Sequence, residues 1–288
     1  MIQTIRNVVV VGCGTMGSGI AHVFAAKGYS VSLVDLTQEI LNKALDTIAS
    51  NLDRQVKKGT ITEDQKIITL ENFKPFTDLQ EAVKNSDLVV EAVTENLEIK
   101  AKIFEILDKN TPQHCILASN TSSISITKIA SFTKRSDKVI GMHFMNPVPI
   151  MKLVEIIRGY DTSDDVTQSI IELSKVLEKE PVEVNDYPGF VANRILMPMI
   201  NEAIYTLYEG VATKEAIDTV MKLGMNHPMG PLTLADFIGL DVCLSILKVL
   251  YEGFGNPKYA PCPLLVNMVT AGHLGRKTGK GFYDYTQK

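Results

Sequence analysis

Over about the first 185 residues, short apolar segments alternate with longer amphipathic ones. The short segments are rich in β-branched side chains, which is typical of strands covered on both faces. They predict strands at residues 8–11, 32–34, 88–90, 116–118, 139–140 and 153–156, with an edge strand at 182–184. The segments between them place apolar residues three and four apart, which predicts helices over residues 15–27, 38–58, 95–109 and 164–178. This alternation predicts a Rossmann-type, doubly wound α/β fold with a mainly parallel sheet.

The pattern changes after the sequence Asp186-Tyr187-Pro188-Gly189. Helical patterns dominate from there, and they predict helices over residues 190–208, 213–223 and 231–251. We therefore predict a Rossmann-type domain over residues 1–185 and an all-helical C-terminal domain over residues 186–288. The first of these helices has more apolar residues than a thin helical layer needs: Ile195, Leu196, Met199, Ile200 and Ile204. They predict either a homodimer interface or packing within the chain.

Composition and charge narrow the class of protein. Hydrophobic residues make up 45% of the 288 positions and charged residues 22%, the balance of a globular protein. The formal net charge of −4, with both signs mixed along the chain, argues against a nucleic-acid partner. No apolar run approaches the roughly 20 residues of a membrane helix. Residues 1–7 lack the features of a signal peptide, so we expect a cytoplasmic protein with no membrane partner.

The four cysteines are scattered along the chain: Cys13, Cys115, Cys243 and Cys262. None belongs to a CxxC pair or lies near a histidine cluster, so the pattern predicts neither a disulfide framework nor a metal site. We expect reduced, buried side chains.

A glycine turn, Gly12-Cys13-Gly14-Thr15-Met16-Gly17, lies between the first predicted strand and the first predicted helix. In a βαβ unit such a turn binds a pyrophosphate on the amides of the helix N-terminus. Gly12 allows the tight turn, Gly14 lets the ligand approach the backbone, and Gly17 lets the helix pack closely. Asp35 ends the next strand, where its carboxylate would accept hydrogen bonds from both ribose hydroxyls and repel a 2′-phosphate. The sequence therefore predicts NAD in preference to NADP.

Polar residues also follow two later strands, at the sheet edge where ligands of open α/β folds bind. Asn120-Thr121-Ser122-Ser123 comes after the apolar run 115–118, although alone it could be a polar turn or the cap of a helix. His143 ends the run 138–141, and prolines in the following segment prevent both strand and helix. Histidine exchanges protons near neutral pH, so His143 is the candidate acid–base group.

Together these motifs resemble the L-3-hydroxyacyl-CoA dehydrogenase family. The resemblance rests on residues 12–17, 120–123, 143–147, 186–190 with Asn193-Arg194, and 277–283, and it spans essentially the whole chain. The compact length is similar to that of bacterial 3-hydroxybutyryl-CoA dehydrogenases. The resemblance implies an NAD-dependent oxidoreductase that interconverts (S)-3-hydroxybutyryl-CoA, or a similar short-chain 3-hydroxyacyl-CoA, and acetoacetyl-CoA.

The resemblance also implies roles for single residues. His143 would be the acid/base, oriented by Glu155 on the following strand, while Ser122 would bind the 3-oxygen of the substrate and Asn193 would contact the substrate from the helical domain. The cofactor side would comprise Gly12, Gly14, Thr15, Met16, Gly17, Asp35, Glu95, Lys100, Asn120, Ser122 and Asn146. Without the resemblance, Glu95 is a helix N-terminal acid, Lys100 part of a solvated helix face, and Asn146 a loop-stabilising amide.

The predicted helix 38–58 ends in basic turns. In the family this helix meets coenzyme A, with Ser50 and Lys57 at matching positions, and Arg54 could add charge for the phosphates. The other interpretation is that the cations complement the negative end of the helix and that Gly59 terminates it. Residues 275–281 lack the strand and the hydroxyl residue of a phosphate-binding loop, and no role for them follows from the sequence.

Two other functions stay open at this point. One is a dehydrogenase of free β-hydroxyacids, which shares the two-domain layout but typically uses a lysine of the helical domain. The pair formed by His143 and Glu155 favours the thioester enzymes instead. The other is a noncatalytic NAD-binding relative, since a fold does not imply an activity.

Overall fold

The structure is a computed structural model that describes residues 5–286. Residues 1–4 lie outside this range, so the expectation for residues 1–7, that they contain no signal peptide, falls mostly outside the described residues. The chain forms two compact units, Met1–Tyr187 and Pro188–Lys288. The boundary predicted from the sequence, between residues 185 and 186, falls just before the division between these units.

The first unit contains one eight-stranded sheet. Its strands are β1 (Asn7–Val11), β2 (Ser30–Val34), β3 (Phe73–Phe76), β4 (Leu88–Glu91), β5 (Ile116–Ser119), β6 (Val139–Phe144), β7 (Leu153–Arg158) and β8 (Glu180–Asn185). Their order across the sheet is β3-β2-β1-β4-β5-β6-β7-β8. Neighbours are parallel except β6 and β7, which are antiparallel. The chain changes direction across the sheet between β1 and β4, which is where ligands of doubly wound folds bind. The predicted fold class is confirmed.

The helices of this unit are α1 (Thr15–Ala26), α2 (Gln38–Lys57), α3 (Glu63–Glu71), α4 (Leu79–Ala82), α5 (Leu97–Asn110), α6 (Ile126–Ala130) and α7 (Asp164–Val176). All four helices predicted here are present within a few residues of their expected bounds. The central strands are buried on both faces, as the continuous apolar run of β1 predicts: Val8, Val9, Val10 and Val11 are each at most 5% exposed.

The second unit is helical. It contains α8 (Ala192–Tyr208), α9 (Lys214–Thr219), a π-helical turn (Val220–Gly224), α10 (Pro231–Ile238), α11 (Leu240–Phe254) and α12 (Pro263–Thr270). The single helix predicted over residues 231–251 is wrong, because Gly239 has a φ of +105°, outside the helical region, and divides it into α10 and α11.

The apolar residues of α8 divide between the interior and the surface of this unit. Ile200 and Ile204 are fully buried in its core, and Leu196 packs against that core. Ile195 is 67% exposed. Packing within the unit therefore accounts for most of this apolar face but not for Ile195.

All four cysteines are buried and unpaired. From residue 5 to residue 286, no group of three or more His, Cys, Asp or Glu side chains is arranged to hold a metal ion. Within the same range no helix has both the length and the apolar character needed to cross a bilayer.

Candidate active site

The glycine turn between β1 and α1 allows no side chain at two of its positions. A Cβ on Gly12, whose φ is +94°, would lie 2.7 Å from the carbonyl oxygen of Ala92. A Cβ on Gly17 would lie 1.7 Å from the carbonyl oxygen of Gly12. A Cβ on Gly14 would meet no atom within 4 Å, so this side of the turn is open. Gly12 and Gly17 therefore serve the fold, while Gly14 leaves room for a ligand.

Asp35 lies directly after β2 and is tied to this turn. Its Oδ2 accepts a hydrogen bond from the backbone N–H of Cys13 at 2.6 Å, and its Oδ1 accepts one from the N–H of Leu36 at 2.7 Å. No side chain caps the N-terminus of α1 at Gly14. A helix N-terminus without a side-chain cap, beside an open backbone and a carboxylate, fits a dinucleotide with an unmodified ribose.

His143 and Glu155 are directly opposite residues of β6 and β7. The Nδ1 of His143 lies 2.7 Å from Oε2 of Glu155, and both residues are buried. The predicted contact between them is present. The predicted end of the strand was too early, because β6 continues through His143 to Phe144.

Ser122 completes a line of three side chains. Its Oγ lies 3.0 Å from Nε2 of His143, so one ring nitrogen faces a hydroxyl and the other a carboxylate. Asn120, assigned above to the cofactor side, uses its Oδ1 to accept a hydrogen bond from the N–H of Phe144 at 2.9 Å. Asn120 therefore fixes the end of β6 next to His143. The helix that follows this loop is capped by Ser125, so Asn120 is not its cap.

Glu95 holds the loop that contains Ser122. Its Oε1 accepts hydrogen bonds from the hydroxyl of Thr121 (2.6 Å), the N–H of Ser122 (3.0 Å), and the N–H and hydroxyl of Ser123 (2.9 and 2.8 Å). Burial alone would raise the pKa of the Glu95 carboxyl, but the charge of Lys100 and these hydrogen bonds outweigh burial and lower the pKa. The N-cap of α5 is Asn96, so Glu95 is more than a helix N-terminal acid.

Lys100 is only 1% exposed, so the interpretation of a solvated helix face is wrong. Its Nζ lies 2.7 Å from Oε1 of Glu91 and 3.5 Å from Oε2 of Glu95. Glu91, which is fully buried at the end of β4, was not among the residues predicted from the sequence. An acidic residue that ends an apolar run, 88–90, is the signal that could have found it.

A cavity of about 430 Å³ lies between the glycine turn, α2 and residues 146–149. Asn146 lines it, and α2 contributes Ile40, Lys43, Ala44, Thr47 and Asn51. Of the predicted coenzyme A residues, Arg54 contacts the Oδ1 of Asn51. Ser50 and Lys57 are exposed on α2 and do not line this cavity. The contact of Ser50, Arg54 and Lys57 with coenzyme A stays a prediction.

Two predicted features belong to the second unit. Asn193 is the second residue of α8 and is half-buried; its contact with the substrate stays a prediction. The 275–283 stretch packs around Asp236, which accepts hydrogen bonds from the N–H groups of Phe282 and Tyr283, both at 2.9 Å. A Cβ on Gly281 would lie 1.9 Å from Oδ1 of Asp236. This stretch therefore fastens the end of the chain to α10.

Comparison with known proteins decides the family. Residues 7–187 match the 3-hydroxyacyl-CoA dehydrogenase NAD binding domain, and residues 189–285 match the 3-hydroxyacyl-CoA dehydrogenase C-terminal domain. The chain belongs to the 3-hydroxyacyl-CoA dehydrogenase family.

Several known proteins are similar to this chain over nearly its full length. A probable 3-hydroxybutyryl-CoA dehydrogenase of Bacillus subtilis is 54% identical over 284 residues, 99% of each chain. The 3-hydroxybutyryl-CoA dehydrogenase of Bradyrhizobium diazoefficiens is 52% identical and covers 99% of this chain and 97% of its own. The crystal structure of (S)-3-hydroxybutyryl-CoA dehydrogenase from Ralstonia eutropha superposes with a TM-score of 0.96 at 52% identity, covering 99% of this chain and all of the other.

Proposed function

We propose that this member of the 3-hydroxyacyl-CoA dehydrogenase family interconverts (S)-3-hydroxybutyryl-CoA and acetoacetyl-CoA with NAD. The observation that carries the proposal is the hydrogen-bonded line Ser122, His143 and Glu155 in the unit that also contains the dinucleotide turn. The relatives described above, which act on 3-hydroxybutyryl-CoA by name, support the substrate.

His143 exchanges the proton of the substrate's 3-oxygen in this mechanism. With Nδ1–H donated to the Glu155 carboxylate, Nε2 is the nitrogen that faces the substrate. It donates a proton to the oxygen during ketone reduction and removes one during alcohol oxidation. When bound, the nicotinamide supplies or accepts the hydride at C3. Glu155 fixes the ring and stabilises the positive charge of the protonated imidazole.

Ser122 orients the reacting oxygen. Its hydroxyl and the Nε2 of His143 lie 3.0 Å apart, so both can hydrogen-bond to one substrate oxygen. The Glu95 carboxylate fixes the backbone of Ser122 and thereby limits the movement of this hydroxyl. Asn193 would add a substrate contact from α8.

Of the remaining predicted residues, some would contact the cofactor or the substrate, and one would act through a neighbouring side chain. Asp35 would bind the ribose hydroxyls, and Asn146 would lie near the nicotinamide. Lys100 is too deeply buried to act by direct contact and would act through Glu95. On α2, Arg54 would attract the coenzyme A phosphates, with Ser50 and Lys57 on the exposed face of the same helix.

We also infer a homodimer formed by the helical unit and a location in the cytoplasm. Exposed apolar side chains of that unit support the dimer, among them Ile195 (67%), Leu223 (81%) and Met225 (60%). Light scattering of the purified protein should give twice the mass of one chain; the mass of a single chain would contradict the dimer. Four buried, unpaired cysteines fit a reducing compartment.

The substrate is tested by initial rates of NADH and NADPH oxidation with acetoacetyl-CoA, longer 3-ketoacyl-CoA esters and free acetoacetate at equal concentrations. We expect the highest kcat/KM with NADH and acetoacetyl-CoA. A free acid reduced as well as its thioester would favour the free β-hydroxyacid enzyme. NADH binding without turnover of any ester would indicate a noncatalytic relative.

A further inference from the structure

Glu91 is a fully buried carboxylate at the carboxyl end of β4. Its Oε1 accepts hydrogen bonds from Nζ of Lys100 and from the N–H of Val93, both at 2.7 Å. Its Oε2 accepts one from the hydroxyl of Ser119, also at 2.7 Å. A buried carboxylate is costly unless it is paired and hydrogen-bonded, and here both oxygens are satisfied.

Two of these partners connect Glu91 to the loop that contains Ser122. Lys100 also lies 3.5 Å from Oε2 of Glu95, the carboxylate that binds residues 121–123. The hydroxyl of Ser119, in turn, accepts a hydrogen bond from the N–H of Thr121 at 3.2 Å. The two oxygens of Glu91 thus support the same loop by separate connections.

The backbone of Glu91 supports the loop as well. Its carbonyl oxygen accepts the N–H of Asn120 at 2.8 Å, and the side chain of Asn120 binds the N–H of Phe144, next to His143. The loop is therefore held at its start by β4, in its middle by Glu95, and against β6 by Asn120. Glu91 makes the first of these contacts itself, and it is connected to the other two through Lys100 and through Asn120.

We propose that Glu91 is a positioning residue: through Lys100 and Ser119 it holds the loop in the conformation that sets Ser122 against His143. This inference rests on the proposed function, because it concerns the hydroxyl that orients the substrate's 3-oxygen. Glu91 itself is fully buried, so it acts on the reaction only through its neighbours.

Glu91→Gln is the direct test because it keeps the volume and removes the charge. The amide is uncharged and presents one acceptor oxygen to three donors, so the ion pair with Lys100 is lost in either orientation, and the hydrogen bond with Ser119 is at best reversed in direction. We expect kcat for acetoacetyl-CoA reduction to fall about 10- to 100-fold, the loss typical of a misplaced catalytic group. NADH should still bind, with any loss of affinity smaller than the loss of kcat, and kcat is measured at saturating NADH. The deuterium isotope effect on kcat, measured with NADH deuterated at the transferred position, should rise because hydride transfer becomes slower.

Two further variants make the test specific. Ser119→Ala removes the contact with Oε2 of Glu91 together with the acceptor of the Thr121 N–H, and it leaves the ion pair with Lys100 intact. We therefore expect a smaller change in the same direction, and this variant carries the test if Glu91→Gln does not fold. Glu172→Gln breaks an exposed ion pair with Lys175, whose charged atoms lie 2.8 Å apart, and should change neither kcat nor the isotope effect.

The alternative is that Glu91 only stabilises the fold. Glu91→Gln and Ser119→Ala would then lower the melting temperature or the yield, while kcat per NADH-binding site and the isotope effect equal those of the wild type. That outcome, with a wild type that reduces acetoacetyl-CoA, overturns the role of Glu91 alone. A wild type that binds NADH but does not reduce acetoacetyl-CoA overturns the proposed function and this inference with it.

Discussion

His143 and Glu155 meet because the direction of the sheet changes between β6 and β7. Antiparallel neighbours place opposite residues close together, and this register pairs the imidazole with the carboxylate. The resemblance to the family implied the two partners, but not that they are directly opposite residues of neighbouring strands. Register depends on how the intervening residues 145–152 turn, which a hydrophobic pattern does not reveal.

The burial of Lys100 could not be predicted from the hydrophobic pattern of its helix. A lysine on an amphipathic helix is normally solvated, and its sequence neighbours gave no reason to expect otherwise. Its burial is stabilised by the carboxylate of Glu91, which lies on the strand β4, and the two side chains meet only in the folded chain. The buried pair of Glu91 and Lys100 is thus the part of the site that could not be predicted from the sequence.

His22 of α1 gives the structure a pH-dependent stability. It is 2% exposed, and burial, assisted by the charge of Lys179, lowers its pKa to about 4. Its Nε2 lies 3.3 Å from the side-chain amide of Gln55, and the surrounding cavity is lined by charged residues: Lys27, Lys152, Glu178 and Lys179. In the unfolded chain the pKa returns to about 6.5, so the unfolded state binds a proton first as the pH falls.

The free energy of unfolding should therefore be fully retained above about pH 6.5 and decline towards pH 4, by about 2 kcal/mol between pH 7 and pH 5 from this group. Urea unfolding of the wild type and of His22→Leu at both pH values isolates this contribution from that of the carboxylates. We expect a smaller loss in the variant. Equal losses would show that His22 is not the titrating group.

At the scale of elements, the strand–turn–helix unit at the N-terminus separates fold from ligand binding. Gly17→Ala would drive a Cβ into the carbonyl of Gly12, so we expect a loss of several kcal/mol in stability, or no folded protein.

Gly14→Ala meets no protein atom, so stability should be retained while the affinity for NADH falls at least about tenfold. Thermal unfolding and NADH titration measure both. Normal NADH affinity in Gly14→Ala would place the pyrophosphate elsewhere.

Elements with a strong period were predictable, and those without it were not. The strand β3 was missed because Lys74 and Pro75 interrupt its apolar pattern, which an edge strand tolerates. The helices α3 and α12 were also missed, and the break at Gly239 within an otherwise continuous helical pattern was overlooked.

At the scale of the whole molecule, the sequence was sufficient for the fold class, the family and the cofactor. Alternating apolar segments and a glycine turn followed by an acidic residue specify the first unit, and several ordered motifs specify the family. The C-terminal stretch could not be assigned because its partner, Asp236, lies far from it in sequence. Neighbouring strands of the sheet position His143 and Glu155, and we infer that the helical unit binds substrate and a second copy.

The proposed mechanism depends most directly on proton exchange by His143. In a single-turnover experiment, enzyme mixed with NADH is combined with acetoacetyl-CoA, and the loss of NADH absorbance is followed for the wild type and for His143→Gln. We expect the variant to bind NADH as tightly as the wild type and to transfer hydride at least about 100-fold more slowly, because its amide cannot donate the proton. Hydride transfer at the wild-type rate in His143→Gln would contradict the mechanism.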